Sequence, residues 1–418
     1  MTVPEIPAER AAVSRLRFPS APNRPGDEVR FDREPMDAPG QVLRPAVDAE
    51  AEVIHGLRRG LVRVLDDAGN AAGPWAPGSL GRPELELGLR DMAIVRAFDA
   101  AMLRAHRQGK TSFYMQCLGE EAVACAHRRA LAPGDMCFPT YRQQGLLVAA
   151  GYPLVDMMNQ VFSNSRDPVL GRQLPVFYSA RGKGFFSISG NLGTQFVQAV
   201  GWAMAAAIRN DDRLASGWIG EGATAESDFH SALLFASIYQ APVILNIVNN
   251  QWAISTYQDV SRGAAPAFAD RGIGFGIPAI RVDGNDYLAV HAVTEWAAAR
   301  ARGGHGPCLI EWVTYRAGAH STSDDPNAYR AKEATAAWPL GDPIARLTGH
   351  LRAAHAWSDE DQRKLDEDVR RVVSDALAEA ESYGTVKEGP WSDPASIFED
   401  VFAKMTPQLL EQRRRAGF

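Results

Sequence analysis

Twenty-six residues separate Gly220-Glu221-Gly222 from Asn249-Asn250, and that interval constrains the fold more than any other feature of the chain. An apolar run over residues 214–219 leads into the glycines, a helical stretch follows over 226–239, and a second apolar run over 242–248 ends at the asparagines. Parallel strands need a connection of a dozen or more residues, so the interval holds one helix, its loops and a returning strand. Glu221 and Asn250 therefore emerge at the same sheet edge, beyond the carboxyl ends of neighbouring strands, where open α/β sheets bind ligands.

A carboxylate and an amide carbonyl side by side are hard oxygen donors of the kind Mg²⁺ prefers, and Mg²⁺ commonly completes its shell with phosphate oxygens and water. Gly220 and Gly222 let backbone approach phosphates, and the start of the following helix offers N–H donors and a positive dipole end. A bare Gly-Glu-Gly is an ordinary tight turn. The Asn pair at the matching distance is what turns the reading toward a metal-diphosphate clamp.

Elsewhere, short apolar runs at 279–282 and 308–313 are bounded by turn residues and read as strands. Helical spacing appears over 86–106, where Met92, Val95, Phe98 and Met102 recur before Gly109, and over the alanine-rich 192–208. Ser358 and Asp361 form a capping-box pattern ahead of Leu365, Val369, Val372 and Ala376. Alternating strands and helices predict an α/β fold, a parallel sheet with helices on both faces. An extended N-terminal arm and lead-in are expected over 1–85, the α/β domain over 86–345 and a helical C-terminal region over 346–418. Residues 1–45 carry eight of the 26 prolines, which suits either an arm lying on a partner surface or a disordered tail.

The 44 basic and 50 acidic residues are spread along the chain, giving a net charge of -6 and no basic stripe to recommend nucleic acid or an anionic membrane. Gln240 and Pro242 interrupt the best apolar run short of the roughly 20 residues that span a bilayer. Cys117, Cys125, Cys137 and Cys308 show neither a C-x-x-C pair nor disulfide-scaffold spacing. With no signal-peptide core, and with Glu5, Glu9, Asp27 and Glu28 unlike a transit peptide, a cytoplasmic location is expected.

Seven blocks in order, GKTSFYM (109–115), LGEEA (118–122), YRQQG (141–145), GEGATAESDFH (220–230), NNQWAIST (249–256), RVDGND (281–286) and TYRAGAHSTSDD (314–325), together resemble the α subunits of branched-chain 2-oxo acid dehydrogenases. The spacing from Gly-Glu-Gly to Asn-Asn resembles the thiamine diphosphate motif. The resemblance, which covers about residues 86–410, implies thiamine diphosphate and Mg²⁺ as cofactors. It implies Glu221, Asn250 and the main-chain oxygen of Trp252 as metal ligands. Cofactor contacts are implied for Tyr141, Arg142, Ser189 and Leu192, and for Gly220, Glu221, Gly222, Ala223, Asn250, Arg316 and His320.

His320 is the implied catalytic residue, imidazole being suited to exchange protons near neutral pH. An arginine fork at Arg142 suits diphosphate; for Arg142 and Arg316 alike a structural ion pair is the competing reading. Ser189, Thr194 and Gln195 match a monovalent-cation site, with K⁺ as its ion, while Ser189 or Asn191 could instead cap the next helix. Phe113 matches an aromatic lining the acyl pocket, against plain core packing. An apolar wall there would favour branched side chains by about 1–3 kcal/mol. Ser321 and Ser323 match serines that a kinase modifies in mitochondrial relatives, or else cap their own loop. Val248 departs from the animal enzymes, which have an arginine there.

The implied reaction is oxidative decarboxylation of a branched 2-oxo acid such as 3-methyl-2-oxobutanoate, with acyl transfer to the lipoyl group of a partner acyltransferase. In this family the glutamate that activates the cofactor comes from a β subunit, so an α₂β₂ heterotetramer is expected. The alternatives are a pyruvate or acetoin dehydrogenase α subunit and, more remotely, a non-catalytic nucleotide-binding module built on the Gly220 turn.

Overall fold

The computed structural model describes residues 19–31, 36–78 and 80–418; the first eighteen residues of the Pro-rich arm lie outside the described residues. Six strands form one sheet: β1 (Leu61–Val62), β2 (Met136–Phe138), β3 (Ala215–Gly220), β4 (Val243–Asn249), β7 (Ala279–Asp283) and β8 (Cys308–Val313). Their order is β1-β7-β8-β4-β3-β2, and every pairing is parallel. A separate antiparallel hairpin pairs β5 (Trp252–Ala253) with β6 (Thr256–Tyr257). The four longer strands are the four apolar runs, because residues buried on both faces of a parallel sheet leave no polar alternation.

Each face of the sheet is covered. On one side, helices Thr194–Ile208 and Ser227–Tyr239 bring Phe196, Ala199, Phe229 and Leu233 against Ile219, Val243, Leu245 and Leu309. On the other, helix Tyr287–Arg302 packs directly on the strands, Glu121–Ala130 packs against it and reaches the sheet through His127, and Arg82–Arg107 forms a further layer. Helix Arg82–Arg107 starts four residues ahead of its apolar periodicity because Pro83 sits at a first-turn position, where a missing N–H costs nothing. The capping box at Ser358 and Asp361 is present and opens helix Asp359–Ser382. That helix lays Leu365, Val369 and Val373 into the same apolar cluster as Met92 and Phe98.

The described part of the arm lies on the domain. Phe31 meets Tyr315 and Trp338 edge-on, Trp75 Nε1 donates to Leu43 O at 3.2 Å and Trp296 Nε1 to Pro45 O at 3.0 Å. Among the described residues no helix is long and apolar enough to cross a membrane.

Register decides where the chemistry can gather. Gly220 is level with Val248, Val248 with Trp312, and Asn249 with Val313. The loops that follow β3, β4 and β8 thus leave the sheet together, carrying Glu221, Asn250 and Arg316.

Candidate functional site

A cavity of about 450 Å³ opens at that edge. Gly220, Glu221, Gly222, Ala223, Asn250 and Trp252 border it on the strand side, and Tyr141, Arg142, His320 and Leu192 face them. Met115, Phe177 and Ile254 add apolar wall, as does Val248 at the position of the missing arginine. Phe113 is not among the lining residues; it is half-buried and packs against the main core.

The two glycines have different reasons. A Cβ at Gly220 would meet nothing within 4 Å, so bare backbone borders open cavity there. A Cβ at Gly222 would fall 2.4 Å from the Ala253 Cβ, so that glycine is required by the hairpin packed on it. The helix expected over 226–239 runs Ser227–Tyr239, and a 3₁₀ turn, Gly222–Ala225, lies between it and Glu221. The groups next to Glu221 are therefore those of the short turn.

Among the described residues, Glu221, 2% exposed, accepts only a long 3.4 Å bond from Asn250 N at Oε2, and its Oε1 has no partner. Glu120, 3% exposed, stands across from it: Oε1 accepts from Asn250 Nδ2 at 2.8 Å, and Oε2 has no partner. Burial pushes both carboxyls up to about 7; Arg142 and Arg316 oppose the rise at Glu120, to which Glu121 adds, and Arg316 opposes it at Glu221, to which Glu120 adds. Orphaned buried carboxylate oxygens are costly unless something cationic meets them. Glu120 lies inside the LGEEA block, and nothing in that motif singles it out from Glu121.

The opposite wall is basic. Arg142 Nη2 donates to His320 O at 3.0 Å and approaches His320 Nδ1 at 3.3 Å, and Nη1 donates to Gln116 O at 2.5 Å. Tyr141 stacks on Phe177 and meets His320 edge-on. Arg316, only 1% exposed, does not border the cavity and makes no carboxylate pair among the described residues. Its Nη1 donates to Trp252 O at 2.9 Å, and Nη2 to Ile254 O at 2.8 Å and Tyr329 Oη at 2.6 Å, so it grips the hairpin. Trp252 O thus already serves a guanidinium and has one lone pair left for a metal.

His320 differs from the expectation of a group titrating near neutrality. Burial, then Arg142 and Arg316, push it down to about 3. Both guanidiniums face Nδ1, at 3.3 and 3.4 Å, and a guanidinium can only donate. These donors assign Nδ1 as acceptor and put the ring proton on Nε2. Asp324 Oδ2 fixes the backbone by accepting from His320 N at 2.7 Å.

Ser189, in the loop, and Thr194 and Gln195, in the first turn of helix Thr194–Ile208, come together: Gln195 Nε2 donates to Ser189 O at 3.1 Å and Thr194 Oγ1 to Asn191 O at 2.9 Å. The N-cap of the following helix is Gly193, at φ 88° with no side-chain cap, so neither Ser189 nor Asn191 caps it. Gln195 Oε1 is buried without a partner. Ser321 Oγ accepts from Ser323 N at 3.2 Å, capping its own loop.

Residues 89–388 match the family described as Dehydrogenase E1 component. The chain is similar to the 2-oxoisovalerate dehydrogenase subunit alpha of Pseudomonas aeruginosa, at 56% identity over 403 residues that cover 96% of this chain and 98% of that one. It is 38% identical over 366 residues to the mitochondrial 2-oxoisovalerate dehydrogenase subunit alpha of Bos taurus, covering 87% of this chain and 78% of the relative. With subunit alpha 1 of Arabidopsis thaliana it shares 36% over 323 residues, 77% of this chain and 67% of the other.

Proposed function

The chain belongs to the dehydrogenase E1 component family, and we propose that it is the α subunit of a branched-chain 2-oxo acid dehydrogenase, with 3-methyl-2-oxobutanoate as its representative substrate. The observation that carries this reading is the 56% identity to the Pseudomonas aeruginosa subunit along almost the whole of both chains. The cavity supports it, since its donors suit a cation and a polyanion held together.

Family membership implies thiamine diphosphate and Mg²⁺, and the residues fit both: two buried carboxylate oxygens have no partner, and backbone at Gly220 borders open space. The bound cofactor supplies the nucleophilic carbon and the electron sink that decarboxylation of a 2-oxo acid requires. Glu221 and the amide oxygen of Asn250 would hold Mg²⁺, with the free lone pair of Trp252 O as a third donor. Arg142 would meet diphosphate oxygens, and Tyr141 would close that wall. His320 holds a proton on Nε2 while neutral, which makes it a hydrogen-bond donor rather than a base at neutral pH. Apolar Met115, Phe177 and Ile254 suit a branched acyl group better than a charged one. Gln195 Oε1 is the free oxygen that would serve K⁺ in the neighbouring loop.

The reading includes a β subunit in an α₂β₂ assembly, which contributes the activating glutamate, and a lipoyl-bearing acyltransferase as acyl acceptor. The bacterial and mitochondrial relatives are both named as α subunits, which supports a partner chain. Four unpaired buried cysteines suit a reducing cytoplasm, and cell fractionation tests that location. Co-expression with the neighbouring β subunit should give decarboxylation of 3-methyl-2-oxobutanoate that needs thiamine diphosphate and Mg²⁺. Faster turnover of pyruvate or acetoin would overturn the branched-chain assignment. Nucleotide binding with no need for the cofactor or a β partner would overturn the enzyme reading as a whole.

A further inference from the structure

We propose that Glu120 is a positioning residue of the metal-diphosphate clamp, which it serves by holding the Asn250 amide with its oxygen presented and by anchoring Arg142 on the same carboxylate. The inference rests on the function proposed above and deepens it.

The two acidic residues of the Glu120-Glu121 pair have separate employment. Glu121 is turned away from the cavity, with Oε1 accepting from Arg96 Nε at 2.8 Å and Oε2 from Gly119 N at 3.0 Å. Glu120 occupies the N-cap position of helix Glu121–Ala130, yet makes no side-chain cap. It is instead 3% exposed, borders the cavity and leaves Oε2 without a partner. A capping or surface role does not account for that placement.

An asparagine amide can turn by half a rotation and exchange its oxygen for its NH₂, and a cation tolerates only the oxygen. An ionised carboxylate accepts and never donates. With Glu120 Oε1 2.8 Å from Asn250 Nδ2, the NH₂ is committed to Glu120, and Oδ1 is left on the other side, where it accepts from Trp252 N at 3.3 Å. The same Oε1 lies 3.6 Å from Arg142 Nε. One oxygen thus ties the orientation of a metal ligand to that of a phosphate-binding guanidinium, and removal of such a supporting partner typically weakens metal binding about 10–100-fold.

The test uses the α₂β₂ assembly and calorimetric titration of thiamine diphosphate at graded Mg²⁺. Glu120→Ala should raise the Mg²⁺ concentration needed for half-maximal cofactor binding by about 10-fold or more. Glu120→Gln, which is isosteric and can still accept from Asn250 Nδ2, should recover most of that loss and guards against misfolding of the smaller variant. Asn250→Asp has two equivalent oxygens and needs no orientation. It should bind Mg²⁺ poorly beside Glu120, because two carboxylates then face each other, and well in the Glu120→Ala background. Unchanged Mg²⁺ dependence in Glu120→Ala, or simple additivity of the Glu120→Ala and Asn250→Asp effects, overturns the proposal. A native assembly with no Mg²⁺-dependent binding of thiamine diphosphate would instead sink the function on which it rests.

Discussion

Two histidines, one buried inside the sheet packing and one half-buried on the cavity wall, are both pushed down to about 3, with burial the largest cause in each. Their partners differ. His127 meets Ser216 Oγ at 2.8 Å through Nε2 and Thr294 Oγ1 at 3.0 Å through Nδ1, with the Trp218 and Trp312 rings edge-on to it. Thr294 Oγ1 donates its one proton to Val290 O at 2.8 Å and so accepts from His127 Nδ1–H, while Ser216 Oγ accepts from Asn246 Nδ2 at 2.9 Å and donates to Nε2; both ring nitrogens are paired and the ring is simply held. His320 faces guanidiniums, which only donate, so its proton is directed to Nε2. Partners on both ring nitrogens make a structural histidine, and partners on Nδ1 alone leave the Nε2–H of His320 for chemistry.

The sharpest way to break that contrast is to exchange the consequences. His320→Ala in the assembled enzyme should lower kcat by roughly 10²–10³-fold, the range for loss of a positioned hydrogen-bond donor, with the thermal midpoint little changed. His127→Ala should do the reverse, lowering stability in urea by roughly 3 kcal/mol through the cavity left beside two tryptophans, with kcat at a permissive temperature within about twofold of the native value. Equal losses of activity in the two variants would erase the distinction.

A smaller effect sharpens the part played by the arginines. Arg316→Lys keeps the charge but cannot span Trp252 O and Ile254 O at once. The hairpin that carries Trp252 should loosen, and cofactor affinity measured by calorimetry should fall about tenfold, the equivalent of one charge-assisted hydrogen bond. Full affinity in Arg316→Lys would show that charge alone matters there.

The same contrast explains what could be read from the sequence. Strands β3, β4, β7 and β8 announce themselves as apolar runs, and the 26-residue interval places Glu221 and Asn250 at one edge. Strands of two or three residues, such as β1 and β2, carry no periodicity and arise from pairing with a partner strand. Arg316 was legible as a cation but not as a clamp on main-chain oxygens, since its partners are carbonyls, which every residue has. His127 has no sequence signal, because its hydroxyl partners lie 89 and 167 residues away. Glu120 could have been found: two adjacent acidic residues at the head of an apolar helix cannot both face water if the helix is buried, and one must then meet a cation.

The smallest expected effect concerns acid. His127 in the folded chain gains its proton only near 3, whereas the unfolded chain gains it near the ordinary 6.5. Below 6.5 the unfolded state therefore holds more protons, and stability falls as pH falls. The contribution of His127 is fully present above about 6.5 and is lost progressively toward about 3. Between pH 7 and 5.5 the loss amounts to roughly 1 kcal/mol for a single group. Other groups titrate in the same interval, so the quantity to measure is the difference between native protein and His127→Phe in urea unfolding at each pH. Because phenylalanine binds no proton in either state, its curve should be flatter on the acid side by that amount. Parallel curves would mean that His127 takes up its proton while folded, and its two hydroxyl partners would then have to be accommodating an imidazolium as readily as they hold the neutral ring.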